Sequence, residues 1–319
     1  MEKALVDVPV LLIFFNRPET FEKVFEKVRE ARPTKLFLAC DGARENKPND
    51  IEQIEKCKKI AENIDWECEV HKRYLDKNVG CGIGPFSAID WALSLEDKIV
   101  ILEDDCVPEA TFFPYMAELL EKYKDDERIG IISGYNHFKK WECGNSSYFF
   151  TKTGATLGWG TWRRVWQNYD YTINSFDDEY CQKLLRNDIG FKRAAQRRLA
   201  NWKLTRDKLN AGENISWWDH QFGFLKYAQS LLMIVPHHNM IYNIGVGANS
   251  THAQHIQRTK WKIGDVCFMP TEPISFPLRH PKYVICDREY DICYFKKIAY
   301  PNKVKRSFNK LKRMATRFF

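Results

Sequence analysis

No run in this chain comes near the roughly 20 consecutive apolar residues that span a bilayer, which argues against a helical membrane crossing. The apolar start Val8-Pro-Val-Leu-Leu-Ile-Phe-Phe15 is too short for one. It passes straight into Asn16-Arg17-Pro18 with no small-residue cleavage site, so it reads as a first strand and not as a targeting segment. The ten cysteines form no C-x-x-C pair and no metal-finger spacing. That sets aside a zinc module and a disulfide scaffold, and predicts reduced thiols in a cytoplasm. A G-x-x-x-x-G-K-[ST] loop is missing, so P-loop ATPase readings lose their main support. Gly80, Gly82 and Gly84 do not make G-x-G-x-x-G and do not follow the first strand, which argues against a nicotinamide site. Acidic residues are absent after Asp291, where the last 24 positions hold nine Lys or Arg. The net charge is +7, so the remainder of the chain carries 7 − 9 = −2. A fold-wide basic face for nucleic acid is therefore not indicated.

What is present is a globular composition: 319 residues, 44% hydrophobic and 14% aromatic, enough to fill the core of one large domain or two small ones. The basic tail repeats Phe308, Leu311, Met314 or Ala315, and Phe318 at helical spacing with cations between them. That pattern predicts a helix on an anionic membrane surface; the competing reading is a disordered basic tail.

The centre of the chain is Lys98-Ile-Val-Ile-Leu-Glu-Asp-Asp-Cys106, an apolar run that ends in Glu103, Asp104 and Asp105. Short Ile- and Val-rich runs suit strands covered on both faces of a parallel sheet. Such sheets bind ligands beyond the carboxyl ends of their strands. Carboxylates are hard ligands that suit Mg2+ or Mn2+ and leave room for substrate phosphates. The plainer reading is a solvated turn or a helix cap before Pro108.

Upstream, Pro18 opens a helix with Phe21, Val24, Phe25 and Val28 on one face. Lys35–Cys40 makes a second strand stopping at Asp41-Gly42, Ile51 to Ile64 marks a second helix, and Glu67 to Arg73 a third strand. A Gly-rich turn at 78–84 precedes an apolar segment and the acidic strand. The alternation predicts an α/β fold, a mostly parallel sheet flanked by helices. Beyond about residue 130 Trp, Tyr, Gly and Asn become frequent, as in an elaborated substrate-binding half. The expected division is 1–130, 131–265 and 266–319, the last an extension ending in the basic tail.

Taken in order, these pieces resemble the GT-A fold nucleotide-sugar glycosyltransferases, the bacterial inverting family and N-acetylglucosaminyltransferase I relatives, over residues 8 to about 252. The resemblance implies that Asn16 and Arg17 meet the nucleotide, that Asp41 reads a uracil ring, and that Glu103 and Asp104 face the donor while Asp105 holds Mn2+ or Mg2+. It also implies that Asp219, in Trp217-Trp218-Asp219-His220, is the catalytic base. Asn78 and Gly80 would let backbone approach the nucleotide, and Trp159 and Trp218 would offer the acceptor an apolar face. In this chain His220 stands where the eukaryotic relatives carry a second acid. The expected enzyme is thus a metal-dependent inverting glycosyltransferase, peripheral on the inner face of the cell membrane. It would move a sugar from a UDP-sugar donor to a glycan or lipid-linked acceptor.

Two alternatives stand beside it. One is a non-catalytic carbohydrate-binding protein on a transferase scaffold, against which the intact acids speak. The other is a sugar nucleotidyltransferase, against which the absence of glycine from Phe14–Thr20 speaks.

Overall fold

A computed structural model describes residues 1–246 and 267–300. The basic tail and its predicted membrane helix, together with His252, lie outside the described residues.

The fold is built on an eight-stranded sheet in the order β3-β2-β1-β4-β8-β6-β9-β7. The strands are β1 (Val6–Phe14), β2 (Pro33–Cys40), β3 (Glu69–Tyr74), β4 (Lys98–Glu103), β6 (Ile129–Ser133), β7 (Tyr148–Thr151), β8 (Trp159–Trp162) and β9 (Leu232–Pro236). All but β7 and β8 run the same way. The expected α/β architecture with a mostly parallel sheet is what the chain forms. Strands from both sides of residue 130 share this sheet, which leaves one continuous layer beneath both halves.

The unbroken apolar runs account for the centre of the sheet. Val8, Val10, Leu11 and Leu12 of β1, and Val100, Ile101 and Leu102 of β4, are all 1% exposed or less. Strands buried on both faces need such runs, and helices must cover them. Helix α1 (Pro18–Ala31) buries Phe21, Val24, Phe25 and Val28, the stripe expected from its spacing. Each such side chain contributes roughly 1.5–3 kcal/mol of transfer free energy. Helix α2 (Asn49–Ala61) packs beside it.

The connections β1 to β2 and β2 to β3 step one way along the sheet, whereas β3 to β4 steps back past β1. Right-handed crossovers then place α1 and α2 on one face and α3 (Gly80–Leu95) on the other. The strand order thus reverses between β1 and β4, and the crevice beyond their carboxyl ends is where sheets of this kind take ligands. Leu12 stands opposite Leu38 and Leu102, and Ile13 opposite Ala39 and Glu103. That register brings the segments after β1, β2 and β4 to one edge.

Three local departures from the sequence expectation shape that edge. The Gly-rich turn is the first turn of α3 itself, with Pro85 inside the helix. Strand β5 (Cys106–Pro108) leaves the main sheet to pair antiparallel with β10 (Ile241–Asn243), setting Asn243 opposite Cys106. Strand β8 is inserted antiparallel between β4 and β6. Helices α4 (Phe112–Lys122), α5 (Arg163–Trp166) and α6 (Glu179–Ile189) precede α7 (Lys192–Asn210), and α8 (Asp219–Ala228) follows it.

Candidate active site

The site forms where β1 and β4 end. Arg17, just before α1, reaches across the crevice: its Nη2 pairs with Asp104, its Nε donates to Asp104 Oδ2 at 3.3 Å, and its Nη1 donates to Asp105 Oδ2 at 3.0 Å. The Phe15 N–H adds a bond to Asp104 Oδ2 at 3.3 Å. Burial works against the guanidinium charge, but Asp104 and Asp105 outweigh it and hold the group protonated beyond its usual range. Asp104 is 3% exposed. Burial pushes its pKa up to about 6, with Arg17 opposing and Asp105 adding to the rise. It acts as the anchor of Arg17.

Glu103 has no hydrogen-bond donor among the described residues. Desolvation first, then Asp105, Asp104 and Asp219, push its pKa up to about 8 against the opposing pull of Arg17. Asp219 therefore lies within the field of the acids ending β4. It is exposed, as the first residue of α8, where the positive end of the helix dipole favours a carboxylate. Gly82 explains its placement: a Cβ there would collide with the carbonyl oxygen of Ile215. The segment leading to Asp219 can lie against the start of α3 only because that side chain is absent.

Asp105 is half-buried, and Asn243 Nδ2 donates to its Oδ1 at 3.2 Å while Ile244 N donates to its main-chain oxygen at 2.9 Å. A Cβ on Gly245 would strike Asp105 Oδ2. Asn243 and Gly245, not singled out from the sequence, thus orient the carboxylate: Asn243 holds one oxygen, and the bare Gly245 lets the main chain lie close to the other, which Arg17 also reaches. Their signal was the Asn-x-Gly spacing in 243–245, uninterpretable without the β5–β10 pairing. A divalent cation that keeps several oxygen ligands from phosphate and water needs only one or two carboxylates from the protein. Asp105, held from behind by Asn243, suits that use, with Glu103 close to it and Asp219 within electrostatic reach of Glu103. A closed cage of three or more protein ligands is not found among the described residues.

A second group borders the first. Asp41 Oδ1 accepts from Gly42 N and Val79 N at 2.8 and 2.9 Å, and Oδ2 from Gly80 N and Asn78 Nδ2 at 2.9 and 3.1 Å. Four donors fill the acceptor capacity of a carboxylate, so the expectation that Asp41 reads a uracil imide is corrected. It holds the start of α3, whose Gly80 takes φ +82. Asn78 is spent on the same task, also donating to Gly42 O at 2.8 Å. The thiol of Cys81 feels both Glu103 and Asp41, so the two groups adjoin. Asn16 points the other way, donating to the buried Asp50 at 2.7 Å.

Trp159 and Trp218 are corrected as well. They are 0% and 6% exposed and stack on each other, centroids 5.7 Å apart at 18°. With Phe222 they form core beneath the site rather than a face for a sugar.

No family model matches the chain, and no curated protein matches it. Among solved structures it is similar to a UDP-glucose pyrophosphorylase complexed with UDP-glucose, at 9% identity and TM-score 0.37, over 79% of this chain and 99% of that chain. It is similar also to a 4-diphosphocytidyl-2C-methyl-D-erythritol synthase from Anaerococcus prevotii, at 8% identity and TM-score 0.38, over 79% of this chain and 99% of that chain. A cytidylyltransferase from Leptospira borgpetersenii is similar at 11% identity and TM-score 0.32, over 59% of this chain and 74% of that chain. None of these likenesses transfers an activity to this chain. The expected enzyme class, a glycosyltransferase of hexosyltransferase type, is corrected to this extent and is not retained: the similar structures are named a pyrophosphorylase, a synthase and a cytidylyltransferase, none a glycosyltransferase. No helix of the described residues is long and apolar enough to cross a membrane.

Proposed function

We propose that this chain is a divalent-cation-dependent nucleotidyltransferase that joins a nucleotide to a sugar phosphate. The observation that supports it is the imbalance of charge at the strand-order reversal. Glu103, Asp104, Asp105 and Asp219 share one field, and Arg17 is the cation ion-paired within it. A site with that excess calls for a further cation, and a nucleotide brings one with its phosphates.

A cation held by Asp105, with Glu103 or Asp219 beside it, would supply Lewis-acid neutralisation of the phosphate oxygens. The chain's own residues do the rest. Asp104 fixes Arg17, Arg17 and Asn243 fix the direction of Asp105, and Gly245 lets the main chain close against the same carboxylate. A sugar phosphate is already ionised, so its attack on a nucleotide phosphorus asks for alignment and charge neutralisation more than for a general base. Carboxylates around one guanidinium offer those resources. The loop Phe14–Thr20 has no glycine to cradle a phosphate by its backbone, so that work falls to Arg17 and the cation. In the same proposal, residues 1–130 take the nucleotide, 131–265 the second substrate, and 266–319 form an extension.

The test is pyrophosphate release from each of the four ribonucleoside triphosphates with Mg2+ and glucose 1-phosphate, read beside product formation by 31P NMR. We expect pyrophosphate and a nucleotide sugar in equal amounts, abolished in Asp105→Asn. Cation-dependent nucleotide binding with no pyrophosphate from any pairing of triphosphate and sugar phosphate would overturn the proposal.

A further inference from the structure

A cavity of about 380 Å³ lies between α7, α8 and the strands β6 and β9, closed on another side by Tyr294 and Tyr300. Asp219 and His220 stand in its wall, and so do two cations from the helices, Lys226 and Arg198. Lys226 is only 7% exposed, and the hydrogen-bond acceptor its Nζ reaches is the thioether of Met233 at 3.1 Å. A thioether is a weak acceptor and carries no charge. Arg198 lies over the rings of Tyr227 and Phe295 at 5.2 and 5.6 Å, and its Nε has no hydrogen-bond partner. His137, also in the wall and 9% exposed, has both ring nitrogens unpartnered.

The carboxylate that acts on both cations is already committed. Asp291 Oδ1 accepts from Thr151 Oγ1, Thr153 N, Thr153 Oγ1 and Lys152 N at 2.5 to 3.2 Å, and Oδ2 pairs with Arg288 at 3.3 Å. Neither Lys226 nor Arg198 forms an ion pair among the described residues. A buried cation without an anion is costly, and Lys226, with the partly buried Arg198 beside the same polar-lined space, marks a place where an anion would be favourable. Gly223 keeps the space open: a Cβ there meets nothing within 4 Å.

We infer that this cavity is an oxyanion subsite, taking a phosphate or carboxylate carried by the second substrate at the end remote from the reacting phosphate. Asp219 ties the two places together, standing in the cavity wall while acting on Glu103 at the mouth. Lys226 follows it by two turns of α8, roughly 10 Å along the helix axis, a span that suits one hexose. The inference rests on the nucleotidyltransferase reading for the identity of the substrate, though not for the existence of the subsite.

The experiment titrates glucose 1-phosphate, glucose 1,6-bisphosphate and glucuronic acid 1-phosphate into the full chain by calorimetry, without nucleotide. The wild type is compared with Lys226→Met, Gly223→Leu and Asp105→Asn, each first shown to melt cooperatively. At least one doubly anionic sugar should bind ten-fold or more tightly than glucose 1-phosphate, and which one wins tells phosphate from carboxylate. Lys226→Met and Gly223→Leu should erase that preference and keep cation-dependent nucleotide binding, whereas Asp105→Asn should do the reverse. Equal binding of all three sugars to the wild type, or a preference that survives in both cavity variants, would overturn the inference. Failure of the enzymatic reading alone would leave this preference intact and only the pyrophosphate assay silent.

Discussion

The acidic mouth and the cationic cavity are two concentrations of charge at the two ends of α8, and they are compensated differently. At the mouth Asp104 is buried, but Arg17 pairs with it and a backbone N–H supports it. In the cavity Lys226 is buried with a thioether for company. A charge with its own partner belongs to the folded structure and is lost at a cost. A charge without one is kept against stability, which is the usual mark of a group held for a ligand. The fold thus separates what it needs for itself from what it offers.

The largest expected effect comes from breaking the compensated side. Arg17→Met leaves Asp104 buried beside Asp105 with no cation, and should cost about 3–5 kcal/mol in urea unfolding. A loss below about 1 kcal/mol would mean that the pair is not structural in this sense. Next is Asp105→Asn, which should weaken Mn2+-dependent nucleotide binding on the order of 100-fold by calorimetry and change stability far less than Arg17→Met. If binding is unaltered, the cation is held elsewhere. On the uncompensated side, Lys226→Met should do the opposite of Arg17→Met and raise stability by about 1 kcal/mol without anion, the low end for removal of a buried charge. Burial first, then Arg198, brings the lysine pKa down to about 7, so part of its charge is already given up at neutral pH. Lower stability in the variant would show that Lys226 has a partner in the folded chain.

A pH-graded effect belongs to His137, whose pKa burial first and Lys226 second lower from 6.5 to about 3. Between those values the unfolded chain takes up a proton that the folded chain refuses, so stability is full above 6.5 and falls as pH drops through the window. Urea midpoints at pH 7.5, 5.5 and 4.5 should show a steeper decline for the wild type than for His137→Gln. Parallel declines would place the imidazole in contact with water.

The parts of this fold that were legible are those in which the signal is local. An apolar run ending in acids gives β4 and the mouth, and an i, i+3, i+4, i+7 stripe gives α1. Arg17 drew notice because it stands just beyond the end of β1, and it lies between Asp104 and Asp105. Side chains whose role depends on which way they face were not legible. Trp159 and Trp218 are aromatic whether they meet a sugar or the core, and only the insertion of β8 decides for the core. Asp41 read as a free carboxylate because the four donors that fill it come mostly from residues 78 to 80, across a whole α-β unit. Lys226 is a single lysine in a helix, which sequence alone places in water. Its burial arises from the packing of α8 against Met233 and the segment near Tyr294, and no local pattern announces that.

The most direct test of the central claim is a crystal structure with Mn2+ and a nucleoside triphosphate, read through the anomalous signal of the metal. A peak is expected within bonding distance of the Asp105 carboxylate and of the nucleotide phosphates, in the crevice between the ends of β1 and β4. A peak bound elsewhere, or phosphates lying away from that crevice, would contradict it.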